Sequence, residues 1–231
     1  MGLPIVLVPG LLATARLYAE QIPALWREGP VTIADHTRDD SIRAIARRIL
    51  AGAPPRFALA GLSMGGYVLF EILRQAPERV ERVAFLDTTA RLDPPELAER
   101  RRRQIDLARE GRFGAVAEMQ YPLLVHRSRL GDEALRKLVR VMADETGAEA
   151  FVRQQTAVIE RADSRPDLAA IACPALVLVG DGDELFPPEN SAEIAAGLPD
   201  ARLVTIRRCG HLSTLERPEE VTRALVEWLR A

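Results

Sequence analysis

The stretch Phe57-Ala58-Leu59-Ala60-Gly61-Leu62-Ser63-Met64-Gly65-Gly66 decides the fold. An apolar run leads into a serine with glycine two positions before it and two after it, and a helix-like stretch from Tyr67 to Gln75 follows. A strand that turns sharply into a helix brings neighbouring backbones too close for side chains beside the turn, which accounts for the glycines. The same geometry lifts the serine hydroxyl clear of the sheet. A Gly-x-Ser-x-Gly string carries little information alone; set between a buried strand and a helix, it marks Ser63 as a candidate nucleophile.

Short apolar runs alternate with helical stretches on both sides of this turn. The predicted strands are Ile5–Val8, Val31–Ala34, Phe57–Ala60, Val80–Leu86, Ala175–Val179 and Arg202–Ile206. Each is nearly continuous in Val, Ile, Leu or Ala and bounded by Gly, Pro or Asp, as strands covered on both faces of a parallel sheet are. Ile42, Ile45 and Ile49 recur at helical spacing after Asp40 and Ser41, which can cap. The helix after Ser63 must stop near Ala76, because Pro77 disfavours helical geometry in the residue before it. Val221, Leu225, Trp228 and Leu229 give the last helix one apolar face. This alternation predicts an α/β fold with a doubly wound parallel sheet of about six strands.

From Thr88 to Asp167 the alternation breaks. Leu135, Leu138, Val139 and Met142, then Phe151, Val152, Gln155, Val158 and Ile159, repeat at helical spacing. Glu96 to Glu110 reads as a charged helix whose run Arg100-Arg101-Arg102-Arg103 forms a solvated face. The expected organisation is a core of residues 1–87 and 168–231, with residues 88–167 inserted as a helical cap. Phe113, Met119, Tyr121, Leu124, His126 and Phe151 read mostly as the interior of that cap.

The 231 residues suffice for one such domain. A net charge of −2 gives no field for nucleic acid or an anionic membrane, and no apolar run approaches the ~20 residues that span a bilayer. Residues 1–8 read as a first strand rather than a signal peptide, and Cys173 and Cys209 as reduced, mostly buried thiols. A cytoplasmic protein is expected. Oligomeric state has no signature here.

A serine hydroxyl needs a base within reach. Among His36, His126 and His211, the last follows a strand through the short loop Arg207-Arg208-Cys209-Gly210 and precedes the final helix. That places it at the carboxyl ends of the strands, where ligands bind in open α/β sheets. A third group must orient the imidazole. The loop Gly180-Asp181-Gly182-Asp183-Glu184 after the fifth strand holds three acids, and Asp87 ends the fourth strand.

The chain order Ser63…Asp…His211 on this pattern resembles the α/β-hydrolase fold, in its capped, esterase-like form, over essentially the whole chain. The resemblance implies Asp183 as the acid, with Asp87 and Asp181 as alternatives. It also implies an oxyanion hole from the backbone N–H groups of Met64, next after the nucleophile, and of Leu11, in the loop Pro9-Gly10-Leu11-Leu12 after the first strand. Relatives often carry His-Gly where Pro9-Gly10 stands here, and an opening antiparallel hairpin that this sequence lacks. His36 has no role in the pattern and reads as a loop histidine. Serine at position 63 disfavours the dehalogenases and epoxide hydrolases of this fold, which use aspartate. The implied activity is hydrolysis of a small, largely apolar carboxylic ester, lactone or thioester through an acyl-enzyme, with no metal or cofactor. Acyl transfer to another acceptor, including cofactor-free perhydrolysis, and a non-catalytic binding protein are the alternatives.

Overall fold

The computed structural model describes residues 2–231. Six strands form one sheet: β1 (Ile5–Val8), β2 (Val31–Ile33), β3 (Phe57–Leu62), β4 (Val80–Leu86), β5 (Ala175–Gly180) and β6 (Ala201–Ile206). Their order is β2-β1-β3-β4-β5-β6, and every neighbouring pair is parallel. The chain therefore winds outward from β1 to β2, crosses back to β3 and continues to the other edge. The point of reversal lies between β1 and β3, which is where open α/β sheets form their ligand crevice.

Side chains alternate across the sheet, so each strand feeds two cores. On one face Val6, Val8, Phe57, Leu59, Phe85 and Val177 pack against α2 (Ile42–Gly52), α3 (Met64–Gln75) and α7 (Pro188–Gly197). Phe70 of α3 stacks on Phe85 with centroids 4.5 Å apart. On the other face Ile5, Leu7, Ala58, Ala60 and Leu176 pack against α1 (Ile22–Leu25) and α9 (Pro218–Arg230) through Leu25, Leu225 and Trp228. The α2 helix begins where the Ser41 hydroxyl accepts from Ala44 N–H, and it buries Ile42, Ile45 and Ile49.

Between β4 and β5 the chain builds α4 (Pro95–Leu107), α5 (Phe113–Leu124) and α6 (Glu133–Ile159). A widened turn at Ala108–Arg112 joins α4 to α5, with Gly111 at φ 80°. The α6 helix is broken at Gly147, φ 78°, so the two apolar stretches read from the sequence are its two arms. Tyr121 and Phe151 are buried here, whereas Met119 is exposed and is no part of an interior. A short α8 (Ser213–Glu216) precedes α9. Both cysteines are free, Cys209 buried and Cys173 half-buried. Among the described residues no helix is long and apolar enough to cross a membrane.

The junction of β3 and α3 is the tightest part of the fold. A Cβ on Gly61 would stand 2.8 Å from the Gly65 carbonyl carbon and 2.6 Å from Leu69 Cδ1, and one on Gly65 would be driven into the Val8 carbonyl oxygen. Gly65→Ala should therefore destabilise the protein by about 3 kcal/mol or prevent folding, because β1 must yield. Gly114→Ala in α5, where a Cβ meets nothing within 4 Å, should be neutral or stabilising by up to about 1 kcal/mol. Urea unfolding of the two variants measures both.

Candidate active site

Ser63 sits at φ 58°, ψ −116°, a conformation that costs an L residue of order 1–3 kcal/mol and persists only where its surroundings enforce it. Two bonds enforce it here. Ser63 N–H donates to the Leu86 carbonyl at 2.9 Å, and the buried Thr88 hydroxyl donates to the Ser63 carbonyl at 2.8 Å. The end of β4 thus clamps the turn that follows β3.

His211 follows β6 and is buried. Its Nδ1 lies 2.8 Å from Asp183 Oδ2. An ionised carboxylate only accepts, so Nδ1 carries the hydrogen and Nε2 of the neutral ring keeps its lone pair. The other Asp183 oxygen accepts from the backbone N–H groups of Leu185 and Phe186, both at 2.9 Å, which fixes the carboxylate in its loop. The Phe186 ring meets the imidazole edge-on, centroids 5.3 Å apart. Burial works to lower the His211 pKa; the Asp183 charge and hydrogen bond outweigh it, Asp87 and Glu216 add to them, and the net direction is up.

The alternative acids lie elsewhere. Asp87 is fully buried at the end of β4, accepting from Gly180 N–H at 3.0 Å and from the Ser213 hydroxyl. Burial, then the nearby Asp183 charge, push its carboxyl well above the ordinary range. Asp181 is exposed and accepts from Cys209 N–H at 3.2 Å, steadying the loop that carries His211.

The loop after β1 is held by two side chains that sequence patterns did not single out. His36 is buried rather than a free loop residue, and its Nε2 lies 2.9 Å from the Gly10 carbonyl. A carbonyl only accepts, so that nitrogen is protonated. Burial pulls the His36 pKa below its ordinary value. Fully buried Gln154 of α6 accepts from Leu12 N–H at 3.2 Å, and Leu12 itself stands at φ 58°. Both sit among other polar residues, in Asp35-His36-Thr37 and Arg153-Gln154-Gln155, and only their partners reveal them. Leu11 borders the same cavity as Met64, the first residue of α3, whose N–H has no intrahelical acceptor.

That cavity is lined by Ser63 and His211 from the core and by α4, α5 and α6 from above. Leu97, Leu124, Val139, Met142 and Phe186 make most of its wall apolar. A buried carboxylate, Glu216, ties the two parts together by accepting from His126 N–H and from Gly210 N–H, each at 2.9 Å. The solvated-face reading of the arginine run is corrected for Arg101, which is buried. Its Nε bonds Asp93 at 2.5 Å, and Arg100 beside it borders the cavity. The partner Asp93 precedes the helix, so no spacing within α4 could announce it.

A family model described as the alpha/beta hydrolase fold matches residues 4–218. The chain is similar to a thermophilic esterase from Thermogutta terrifontis, solved with malate bound: 32% identity and a TM-score of 0.90 over all of this chain and 90% of that one. It is also similar to the enol-lactonase from Burkholderia xenovorans LB400, at 26% identity and a TM-score of 0.91 over all of this chain and 92% of that one. Among curated relatives, the pimeloyl-acyl-carrier-protein methyl ester esterase of Nitrosomonas europaea is 26% identical over 78% of this chain and 74% of its own length. With a parallel six-stranded sheet, a strained serine at the β3–α3 turn and a sequence match from the first strand into the last helix, the chain belongs to the alpha/beta hydrolase fold family.

Proposed function

We propose that this protein hydrolyses small carboxylic esters or lactones through an acyl-enzyme formed on Ser63. The observation that carries the reading is the convergence on one cavity of a serine held at positive φ and an imidazole hydrogen-bonded to a buried carboxylate. His211 Nε2 takes the Ser63 proton as Oγ attacks the carbonyl carbon. Asp183 holds the ring in the Nδ1–H tautomer and stabilises the imidazolium that forms. Leu11 and Met64 N–H groups donate to the developing oxyanion, with no protein rearrangement at that moment. The proton then passes to the departing alkoxide, and water deacylates the serine by the same steps in reverse.

In this reading residues 88–167 form the cap. Esterase and lactonase names among the relatives support the bond class, and the apolar wall supports a substrate with a hydrocarbon body.

The wild type should turn over short p-nitrophenyl esters, and a fluorophosphonate should label Ser63. Ser63→Ala should lose at least about 10⁴-fold in kcat/KM. A wild type that neither hydrolyses the esters nor takes the label overturns the proposal.

Asp183→Asn should cost roughly 10³–10⁴-fold, by removing the acceptor that fixes the tautomer, while Asp87→Asn should retain most activity. The converse result would move the acid to Asp87.

The mechanism needs neutral His211, so activity falls as pH drops through its pKa. Because the surrounding carboxylates outweigh burial, the acidic limb of log kcat/KM should lie above the ordinary imidazole value, and Asp183→Asn should shift it down.

A further inference from the structure

The cap side of the cavity presents hydrogen-bond donors, and their orientation is forced from behind. Arg101 Nη1 donates to Gln155 Oε1 at 2.9 Å, since arginine cannot accept. Gln155 must then donate, and its Nε2 does so to Gln104 Oε1 at 2.9 Å. That leaves Gln104 with only its amide N–H₂ to offer. Arg101 and Gln104 are both more than nine-tenths buried, both border the cavity, and Gln104 Nε2 and Arg101 Nη2 have no partner among the described residues. Gln120 of α5 borders the same space, and its Nε2 is buried without a partner. Three uncommitted donor groups thus surround one volume.

The charge points the same way. Asp93 is shared by Arg101 at 2.5 Å and Arg161 at 2.7 Å, and all three side chains are buried. One carboxylate between two guanidiniums leaves an excess positive charge out of water, a costly arrangement unless an anion completes it. Asp163, the next acid along from Arg161, is paired with Arg165. Arg100, at the mouth of the cavity, has no carboxylate in ion-pair range among the described residues.

The geometry points to a carboxylate-binding subsite formed by Arg100, Arg101, Gln104 and Gln120, which selects substrates carrying a carboxylate remote from the ester bond. The inference rests on the hydrolase reading above and names its substrate class: monoesters of dicarboxylic acids, or esters and lactones with a carboxylate on the alcohol side. The apolar residues lining the same cavity hold the hydrocarbon that joins the two polar ends.

The test compares near-isosteric pairs by pH-stat. Methyl hydrogen glutarate against methyl pentanoate places the charge on the acyl side; 4-acetoxybutanoate against butyl acetate places it on the alcohol side. At least one charged member should exceed its neutral partner in kcat/KM by roughly tenfold or more, and which pair responds identifies the side. Arg100→Gln and Gln120→Leu should each raise KM for that charged ester by roughly tenfold, leaving its kcat and the neutral esters unchanged. Gln120→Leu removes a donor that has no protein partner, so a merely structural role predicts no loss. Free glutarate should bind the wild type by calorimetry, more weakly in both variants, and this readout does not depend on turnover. Neutral esters cleaved as well as charged ones, with no glutarate binding, would overturn the subsite while leaving the hydrolase reading intact; failure on every ester together with no serine labelling would overturn that reading instead.

Discussion

The chain reverses from β3 into α3 at a single residue, Ser63, and that reversal brings three backbones together. Gly65 sits against the Val8 carbonyl at the end of β1, and Ser63 itself is bonded to Leu86 and Thr88 at the end of β4. The strain at φ 58° is maintained because β1, β3 and β4 are neighbours in one parallel sheet with a common direction. Everything the site needs follows from that common direction. The loop carrying Leu11, the acids Asp87 and Asp183, and His211 all leave strands at the same edge, so residues far apart in sequence meet without any long loop reaching across.

Charge in the site is sorted by how each carboxylate is solvated. Asp183 is buried but accepts two backbone N–H groups and the imidazole. Asp87, also buried, has fewer donors, and lies close enough to feel the Asp183 charge, so its proton is held more tightly. Burial and the neighbouring Asp183 charge together push the Asp87 carboxyl toward the acid form.

The sheet was legible because strands covered on both faces are written as unbroken apolar runs, and Ser63 because steric exclusion leaves a glycine signature. His211 was legible because only three histidines exist and one of them follows a strand. The family resemblance favours Asp183 over Asp181; in the structure Asp183 is buried with its carboxylate on His211, whereas Asp181 is exposed, a property of how the loop folds over the cavity. Arg101 was misread because four consecutive arginines point in four directions around a helix, and the direction that faces inward is decided by Asp93 and Gln155 in other segments. His36 and Gln154 left no mark for the same reason: each is defined by a backbone group it holds.

The bonds that join the helices between β4 and β5 to the rest of the fold have an evolutionary consequence. Gln154 satisfies Leu12 N–H, Glu216 satisfies His126 N–H, and Arg153 donates to the Thr37 carbonyl. These groups are mostly hidden from water, so a foreign helical segment grafted in place of α4–α6 would strand them unless it supplied matching partners. The helices above the sheet are therefore not freely interchangeable parts. New specificities in this lineage should arise by point changes on the cavity side of the existing helices more readily than by exchange of the whole segment.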